Sequence, residues 1–400
     1  MLNARKKMRA RTLNQVSPFM LFKLFFYLKD LYSPFNVFRY VSFRTIAALV
    51  TALAISLLLY PWFIRTLRKR QIGEVVRDNA QGPEHSEKAG TPTMGGVMII
   101  FSLITSTLLW ADISNPYVLV VLSMTVGFSI IGFIDDAMKL TKRNKDGLSG
   151  KIRLLAEFGL TGVLFYIVMT HPAFGYDMSF YFPFVSTDAS SGIMLPLLVY
   201  LPFACFLVVG TGNSVNFTDG LDGLAIGPVI IAAATLLFLA YGSATVLRYE
   251  EIVDGRTILH TFDVAKYLRI PSVPGVQELS VFCAAIMGAG IGFLWYNAPP
   301  AQVFMGDVGS LGLGGALGTM AVLTKHELLS AIIFGLFLLE AISVIAQTTS
   351  YKLTGKRIFR MAPIHHHYEK KGWKETKIVV RFWIVAAILA LFALASLKVR

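Results

Sequence analysis

The sequence predicts an all-α polytopic membrane protein with about ten transmembrane helices. Two observations carry that reading. Of the 400 residues, 55% are hydrophobic and only 15% are charged, where soluble domains carry about 25% charge. Mean hydropathy is +0.61, and the apolar residues fall into segments near the roughly 20 residues that a bilayer crossing needs.

In chain order these segments are 43–64, 94–112, 116–137, 153–170, 193–212, 224–242, 278–297, 310–324, 328–348 and 378–397. The eighth, "LGLGGALGTMAVL", is short and rich in glycine. No internal repeat, low-complexity run or separate soluble domain interrupts the series. We therefore expect a single integral-membrane domain over 43–400, preceded by an N-terminal stretch, 1–42. Within that stretch "MLFKLFFYLKDLYSPFNVFRY" reads as an aromatic interfacial helix. Residues 1–19 read as an upstream extension or as a misassigned start, Met20 being a plausible initiator. No short apolar region with a small-residue cleavage site follows the basic N-terminus, so no cleaved signal peptide is expected. Cys205 and Cys283 both lie in apolar runs and read as small core residues.

Basic residues choose the orientation. The loops near 65–93, 138–152 and 349–377, with their flanks, hold Arg65, Arg68, Lys69, Arg70, Arg77 and Lys88, then Lys139, Lys142, Arg143, Lys145, Lys151 and Arg153, then a third set from Lys352 to Arg381. The alternate loops hold only Arg248, Arg256, Lys266, Arg269 and Lys325. By the positive-inside rule the first set faces the cytoplasm, and both termini face outward. The basic N-terminal stretch runs against this bias, but the loop contrast outweighs it.

An ionisable residue at membrane depth costs about 2.5–3.5 kcal/mol on insertion scales, so each one needs a reason. "GFIDDAMKL" places Asp135 and Asp136 at the end of the third segment. "GNSVNFTDGLDGLA" closes the fifth with Asn213, Asn216, Asp219 and Asp222, and "WYNAPPAQVFMGDVGS" follows the seventh with Asn297 and Asp307. All five aspartates fall on the side that the basic residues mark as cytoplasmic. Asp135 and Asp136 can be a polar helix stop, or a metal or proton-transfer pair, because adjacent like charges need a cation. Asp219 and Asp222 share a helix face and can equally cap a turn. Asp307 stands in a Gly-rich turn before a helix, a place suited to metal or phosphate.

Three consecutive histidines, His365, His366 and His367, sit in "MAPIHHHYEKKGWKET". Successive helical residues point about 100° apart, so three adjacent imidazoles cannot share one zinc ion. Among so many Lys and Arg residues, phosphate binding is their best chemical reading, and an interfacial role is the plain alternative. Glu340, the one acid in mid-segment, is expected to pair with another helix. Carboxylates grouped with lysines and histidines are what a Mg²⁺–diphosphate site requires. Nothing beyond net charge suggests nucleic acid.

Together "KAGTPTMGG", "GFIDDAMKL", "GLSGKIRLL", "NFTDGLDGLA", "WYNAPPAQVFMGDVGSLGLGG" and "APIHHHYEKKGWKE" resemble the phospho-N-acetylmuramoyl-pentapeptide transferase family. That family belongs to the polyprenyl-phosphate N-acetylhexosamine-1-phosphate transferase superfamily. The aspartate motifs are superfamily-wide; the histidine loop and "GTPTMGG" mark the muramoyl branch. The resemblance implies a multi-pass enzyme of the bacterial inner membrane. It would transfer phospho-MurNAc-pentapeptide from UDP-MurNAc-pentapeptide to undecaprenyl phosphate, giving lipid I and UMP, with Mg²⁺ and as a homodimer among membrane lipids. It further implies Asp307 as the Mg²⁺ ligand, Asp135 as the base on the lipid phosphate with Asp136 beside it, and Lys151 on phosphate. Phe304 would stack on uracil, with Lys88, Gly220, Leu221 and Asp222 around the base. Asn216, Asp219 and Asn297 would line the cleft, and His365, His366 and His367 would lie near the phosphates or the sugar–peptide end. Direct attack is favoured over a covalent enzyme intermediate. Two other functions stay open on sequence alone: a GlcNAc-1-phosphate transferase of the same superfamily, and a cation-coupled transporter. Transporters place their ionisable groups near the midplane, not at one edge.

Overall fold

The computed structural model describes residues 25, 32–70, 90–142, 147–185, 192–253 and 256–398. Helices fall on every expected segment. In chain order they are α1 Val41–Lys69, α2 Gly96–Trp110, α3 Pro116–Lys142, α4 Gly150–Thr170, α5 Leu197–Thr218 and α6 Ile226–Gly242. They continue as α7 Leu279–Asn297, α8 Gly306–Leu323, α9 Glu327–Ile333, α10 Gly335–Thr354, α11 Ile364–Glu369 and α12 Glu375–Ala395. Among the described residues, α1, α3, α4, α5, α7, α8 and α12 are long and apolar enough to cross a membrane. The expected ninth segment is broken: α9 and α10 meet at 82° and make at most one further crossing. The break falls at Phe334–Gly335, and glycine is among the usual sites of sharp helix bends. Helices α2 and α6 are apolar but shorter.

The Gly-rich eighth segment is the centre of the bundle. In α8, 89% of the apolar window is buried, against 22% for α1 and 28% for α4. It packs on α3 and α5, and also on α2 and α6. Small residues allow that approach in a membrane bundle. A Cβ added at Gly314 would stand 2.7 Å from Gly212 Cα, and one at Gly96 would overlap the backbone of Gly309. Helix α1 lies along α7, and the largely exposed α4 leans on α5.

Two small sheets sit outside the helices. Strand β1 Ser179–Phe180 pairs antiparallel with β2 Ile193–Met194. The longer hairpin joins β3 Val246–Val253 to β4 Arg256–Asp263, with Val246 opposite Asp263. Before α1, Ser33–Arg39 form a 3₁₀ turn; most of the expected interfacial helix lies outside the described residues. At the end of the bundle where α1 and α7 begin and α2 ends, Arg44 grips Glu278 bidentately at 2.7 and 2.5 Å. Glu278 also accepts the Asp112 amide at 3.0 Å.

Candidate active site

The opposite end of the bundle collects the carboxylates. Asp135 and Asp136 lie on the last turns of α3 and are buried, and Asp307 begins α8. Together they offer three carboxylate oxygens within 4.8 Å of one another. Their mutual repulsion is offset by Lys139, one turn beyond Asp135 on α3. Its Nζ lies 2.5 Å from Asp135 Oδ2, 2.7 Å from Asp307 Oδ2 and 4.0 Å from Asp136 Oδ1.

Backbone fixes each acid. The Leu148 amide donates to Asp135 Oδ1 at 2.5 Å. Gly147 is adjacent, and a Cβ there would strike the same oxygen; this is the local work of "GLSGK". The Val308 amide, in the first turn of α8, donates to Asp136 Oδ2 at 3.2 Å, so the helix N-terminus faces negative charge as its dipole favours. Gly306 has φ +73°, and its Cβ would come within 2.6 Å of that oxygen. Both the turn and the close approach therefore require glycine there. Asn216 on α5 donates from Nδ2 to Asp307 Oδ1 at 2.7 Å and to Ser310 Oγ at 2.9 Å.

A second polar group abuts the first. Arg153 on α4 places Nη1 3.8 Å from Asp307 Oδ2 and Nε 3.7 Å from Glu157 Oε1. Its Nη2 donates to Asn213 Oδ1 at 2.9 Å, and Asn213 Nδ2 donates to Glu157 Oε2 at 2.6 Å. On sequence alone Lys139 and Arg153 read with the loop charges, and Glu157 does not stand out. The available signal was spacing: Asp135 to Lys139 and Arg153 to Glu157 are both i, i+4 pairs.

The other expected residues divide into neighbours of this cluster and residues that support them. Asn297 is buried; its Oδ1 accepts the Gly223 amide at 2.9 Å and its Nδ2 donates to Val303 O at 2.9 Å. Asp222 is also buried; its Oδ2 accepts the Ala301 amide at 3.0 Å, and its own amide donates to Glu375 at 2.7 Å. These bonds tie the turn after α5 to the loop carrying Phe304, which is half-buried. The same loop is stitched to the "GTPTMGG" segment, with Phe304 N donating to Pro92 O at 2.8 Å and Gly95 N to Phe304 O at 2.7 Å. Leu221 packs with Leu224, Ile378 and Phe382 in a small apolar cluster. Asp219 caps α5 half-buried and Gly220 is exposed.

The histidines diverge as their positions on α11 dictate. His365 is fully buried, its ring filling the space beside Gly220, with Nδ1 3.2 Å from Glu340 Oε1. Glu340 thus pairs with another helix, as expected. His366 pairs with Glu369. His367 Nδ1 accepts the Arg360 amide at 3.1 Å. Partial desolvation, with Lys371 and Arg360 nearby, holds the His367 imidazole below its ordinary pKa. Lys151 stands exposed on the first turn of α4, with no ion pair among the described residues. Lys88 lies outside the described residues.

Hard oxygen donors gathered around limited positive charge suit Mg²⁺, which takes one or two carboxylates plus phosphate oxygens and water. The three aspartates therefore form a carboxylate cluster that could hold such an ion in a multi-helix membrane protein.

Comparison with known proteins narrows the class. Residues 118–325 match the glycosyl transferase family 4 profile, a stretch that holds both aspartate helices. Residues 88–100 match phospho-N-acetylmuramoyl-pentapeptide-transferase signature 1, the segment stitched to the Phe304 loop. The phospho-N-acetylmuramoyl-pentapeptide-transferase of Sorangium cellulosum is 53% identical over 391 residues, covering 95% of this chain and all of the relative. That of Syntrophus aciditrophicus is 51% identical over 385 residues with the same coverage, and those of Anaeromyxobacter are 49% identical over 393. The chain belongs to the phospho-N-acetylmuramoyl-pentapeptide-transferase family.

Proposed function

We propose that this protein transfers phospho-MurNAc-pentapeptide from UDP-MurNAc-pentapeptide to undecaprenyl phosphate, giving lipid I and UMP. The observation that carries the proposal is the meeting of Asp135, Asp136 and Asp307 around Lys139, at the end of the bundle that also holds the family signature and the histidine helix. Phosphoryl transfer asks a protein mainly to position the reactants and to stabilise spread negative charge. Asp307, with Asp135 and Asp136 beside it, would hold Mg²⁺. When bound, that ion neutralises charge on the donor diphosphate. Lys139 keeps the carboxylates together and adds a cation facing phosphate. Asp135 takes the proton of an acceptor phosphate that arrives monoprotonated, phosphate's second pKa being near 6. The lipid phosphate then attacks the donor directly, and UMP leaves.

In this reading Phe304 stacks on uracil. Lys88, Gly220, Asp222 and the backbone at Leu221 surround the base, while Asn297 and Asp222 stiffen the loop that presents Phe304. Asn216 orients Asp307, Asp219 lines the cleft, and Lys151 engages phosphate from the rim. His366 and His367 face the sugar–peptide end, and His365 anchors their helix on Glu340. The loop charges support a cytoplasmic position for this end of the bundle and termini on the outer side; about ten crossings of the inner membrane, with α2 and α6 among them, and a homodimer complete the proposal.

The test is UMP release by purified protein in nanodiscs with undecaprenyl phosphate and Mg²⁺, from UDP-MurNAc-pentapeptide and in parallel from UDP-GlcNAc. We expect release from the muramoyl donor only, reduced at least ~100-fold in Asp307→Ala. Release from UDP-GlcNAc alone would move the protein to the sister transferases. Folded protein that releases UMP from neither would fail the proposal.

A further inference from the structure

Glu157 is a carboxylate in an unusual place. It is fully buried on α4, whose other buried residues are Thr161, Phe165 and Val168. Most of the rest of the helix is exposed on an apolar surface. A lone buried carboxylate is costly unless it is paired and hydrogen-bonded. Its close bond is to Asn213 Nδ2, at 2.6 Å. Its cation, Arg153, stays at 3.7 Å, beyond hydrogen-bond range, and both Arg153 Nε and Glu157 Oε1 lack a hydrogen-bond partner.

Arg153 shows the same incompleteness from the other side. A guanidinium carries five N–H donors in a rigid fork. The hydrogen bond that Arg153 makes among the described residues is the one from Nη2 to Asn213 Oδ1, at 2.9 Å. It stands 3.8 Å from Asp307 Oδ2, near enough for attraction but without a hydrogen bond. Its side chain is 18% exposed. An arginine steered by two carboxylates yet hydrogen-bonded to neither keeps most of its donors free, with only Nη2 engaged on Asn213. That fork matches a phosphate group bidentately.

We propose that Arg153 binds a substrate phosphate beside Asp307, and that Glu157 is its positioning residue, acting with Asn213 to aim the guanidinium. Asn213 is the hinge of the arrangement. Its carbonyl oxygen accepts from Arg153, while its amide nitrogen donates to Glu157 and, at 3.0 Å, to Val209 O. Removing the Glu157 charge leaves Arg153 drawn toward the aspartates alone, and the fork turns away from the phosphate. The ligand is a phosphate monoester or diphosphate: the donor and the lipid acceptor both offer one. The inference rests on the transferase reading above.

The test uses the full-length protein in nanodiscs, without Mg²⁺ for the binding arm and with it for kinetics. Calorimetry would follow UDP-MurNAc-pentapeptide and, separately, a short-chain polyprenyl phosphate. We expect Glu157→Gln to weaken binding of one of them about 10- to 100-fold while leaving the other unchanged, and so to name the source of the phosphate. KM for that substrate should rise by the same factor with kcat changed little. Arg153→Lys, which keeps the charge but loses the fork, should match it, and the double variant should be no worse than either single. Glu157→Asp should recover part of the loss. Unchanged binding of both substrates in a folded Glu157→Gln, or fully additive losses in the double variant, would overturn the inference while wild-type turnover stands. If Glu157→Gln does not fold, unchanged binding in Arg153→Lys overturns it instead. Absence of wild-type turnover would sink the transferase reading and this inference with it.

Discussion

The two ends of α8 bury charge in opposite ways. At its N-terminus four acids, Asp135, Asp136, Glu157 and Asp307, face two cations, Lys139 and Arg153. At its C-terminus one lysine meets one glutamate. Lys325 Nζ lies 3.5 Å from Glu327 Oε1 and donates to Tyr200 OH at 2.8 Å, and its ammonium sits over the Tyr176 and Tyr200 rings at 4.7 and 4.4 Å. Tyr200 also donates to Glu327, and Tyr176 donates to Val322 O at 2.8 Å. Burial pushes the Lys325 ammonium below its ordinary pKa, with Glu327 and then Asp177 opposing. The balanced cluster locks the corner between α8 and α9. The unbalanced one is short of positive charge, and its arginine has donors to spare. Burial alone therefore does not mark a site; an uncompensated charge sum and unused donors do.

The comparison breaks most visibly through Lys325. Lys325→Met leaves Glu327 buried without its cation, and breaking such a pair costs about 3–5 kcal/mol. Chemical denaturation in detergent should show that loss, with turnover per folded molecule unchanged. Replacing both partners, as Lys325→Met with Glu327→Leu, should restore most of the stability. A single variant as stable as wild type would mean that the cluster is not the lock described here.

Lys139→Met sharpens the other half. It removes the cation shared by the three aspartates, but Lys139 is 39% exposed, so solvent replaces part of what is lost. The expected destabilisation in a chelator is about 1–3 kcal/mol. Added Mg²⁺ should narrow that gap, because a divalent ion takes over the compensation. No rise in the melting temperature of either protein on adding Mg²⁺ would count against metal binding by these acids.

How much of this was legible beforehand follows from the kind of signal involved. The ten apolar segments are visible because solvation by lipid is written in composition, and each became a helix or a broken pair. The gathering of Asp135, Asp136 and Asp307 was foreshadowed by loop charges, which place distant residues on one side of a membrane. Pairings were harder. The role of Lys139 depends on α8 lying against α3, and that of Glu157 on α4 leaning over Asn213. The bend at Phe334–Gly335 hid in a continuous apolar run. The β3–β4 hairpin did have a signal in the sequence, the dipeptide Asp254–Gly255 between two runs of alternating apolar residues. Conversely, the glycines that made the eighth segment look weak are what let α8 occupy the centre.

The smallest expected effect lies on the exposed loop, where charge is neither balanced nor enclosed. The lone pair of His367 Nδ1 accepts the Arg360 amide at 3.1 Å, so protonation there breaks a bond. Partial desolvation and the Lys371 and Arg360 cations act in the same direction, and the folded chain favours the neutral ring. The sign follows from linkage: a folded pKa below the unfolded one makes the unfolded state bind more protons between the two values. The contribution of His367 is therefore present above its ordinary pKa of about 6.5 and is lost as pH falls through that value toward the folded one. In an NMR titration of the imidazole, the His367 midpoint should lie below that of a free histidine and rise in Lys371→Ala. A midpoint at the free value would show that solvent screens the Lys371 and Arg360 cations on this loop, and one above it would show that the acids nearby outweigh them.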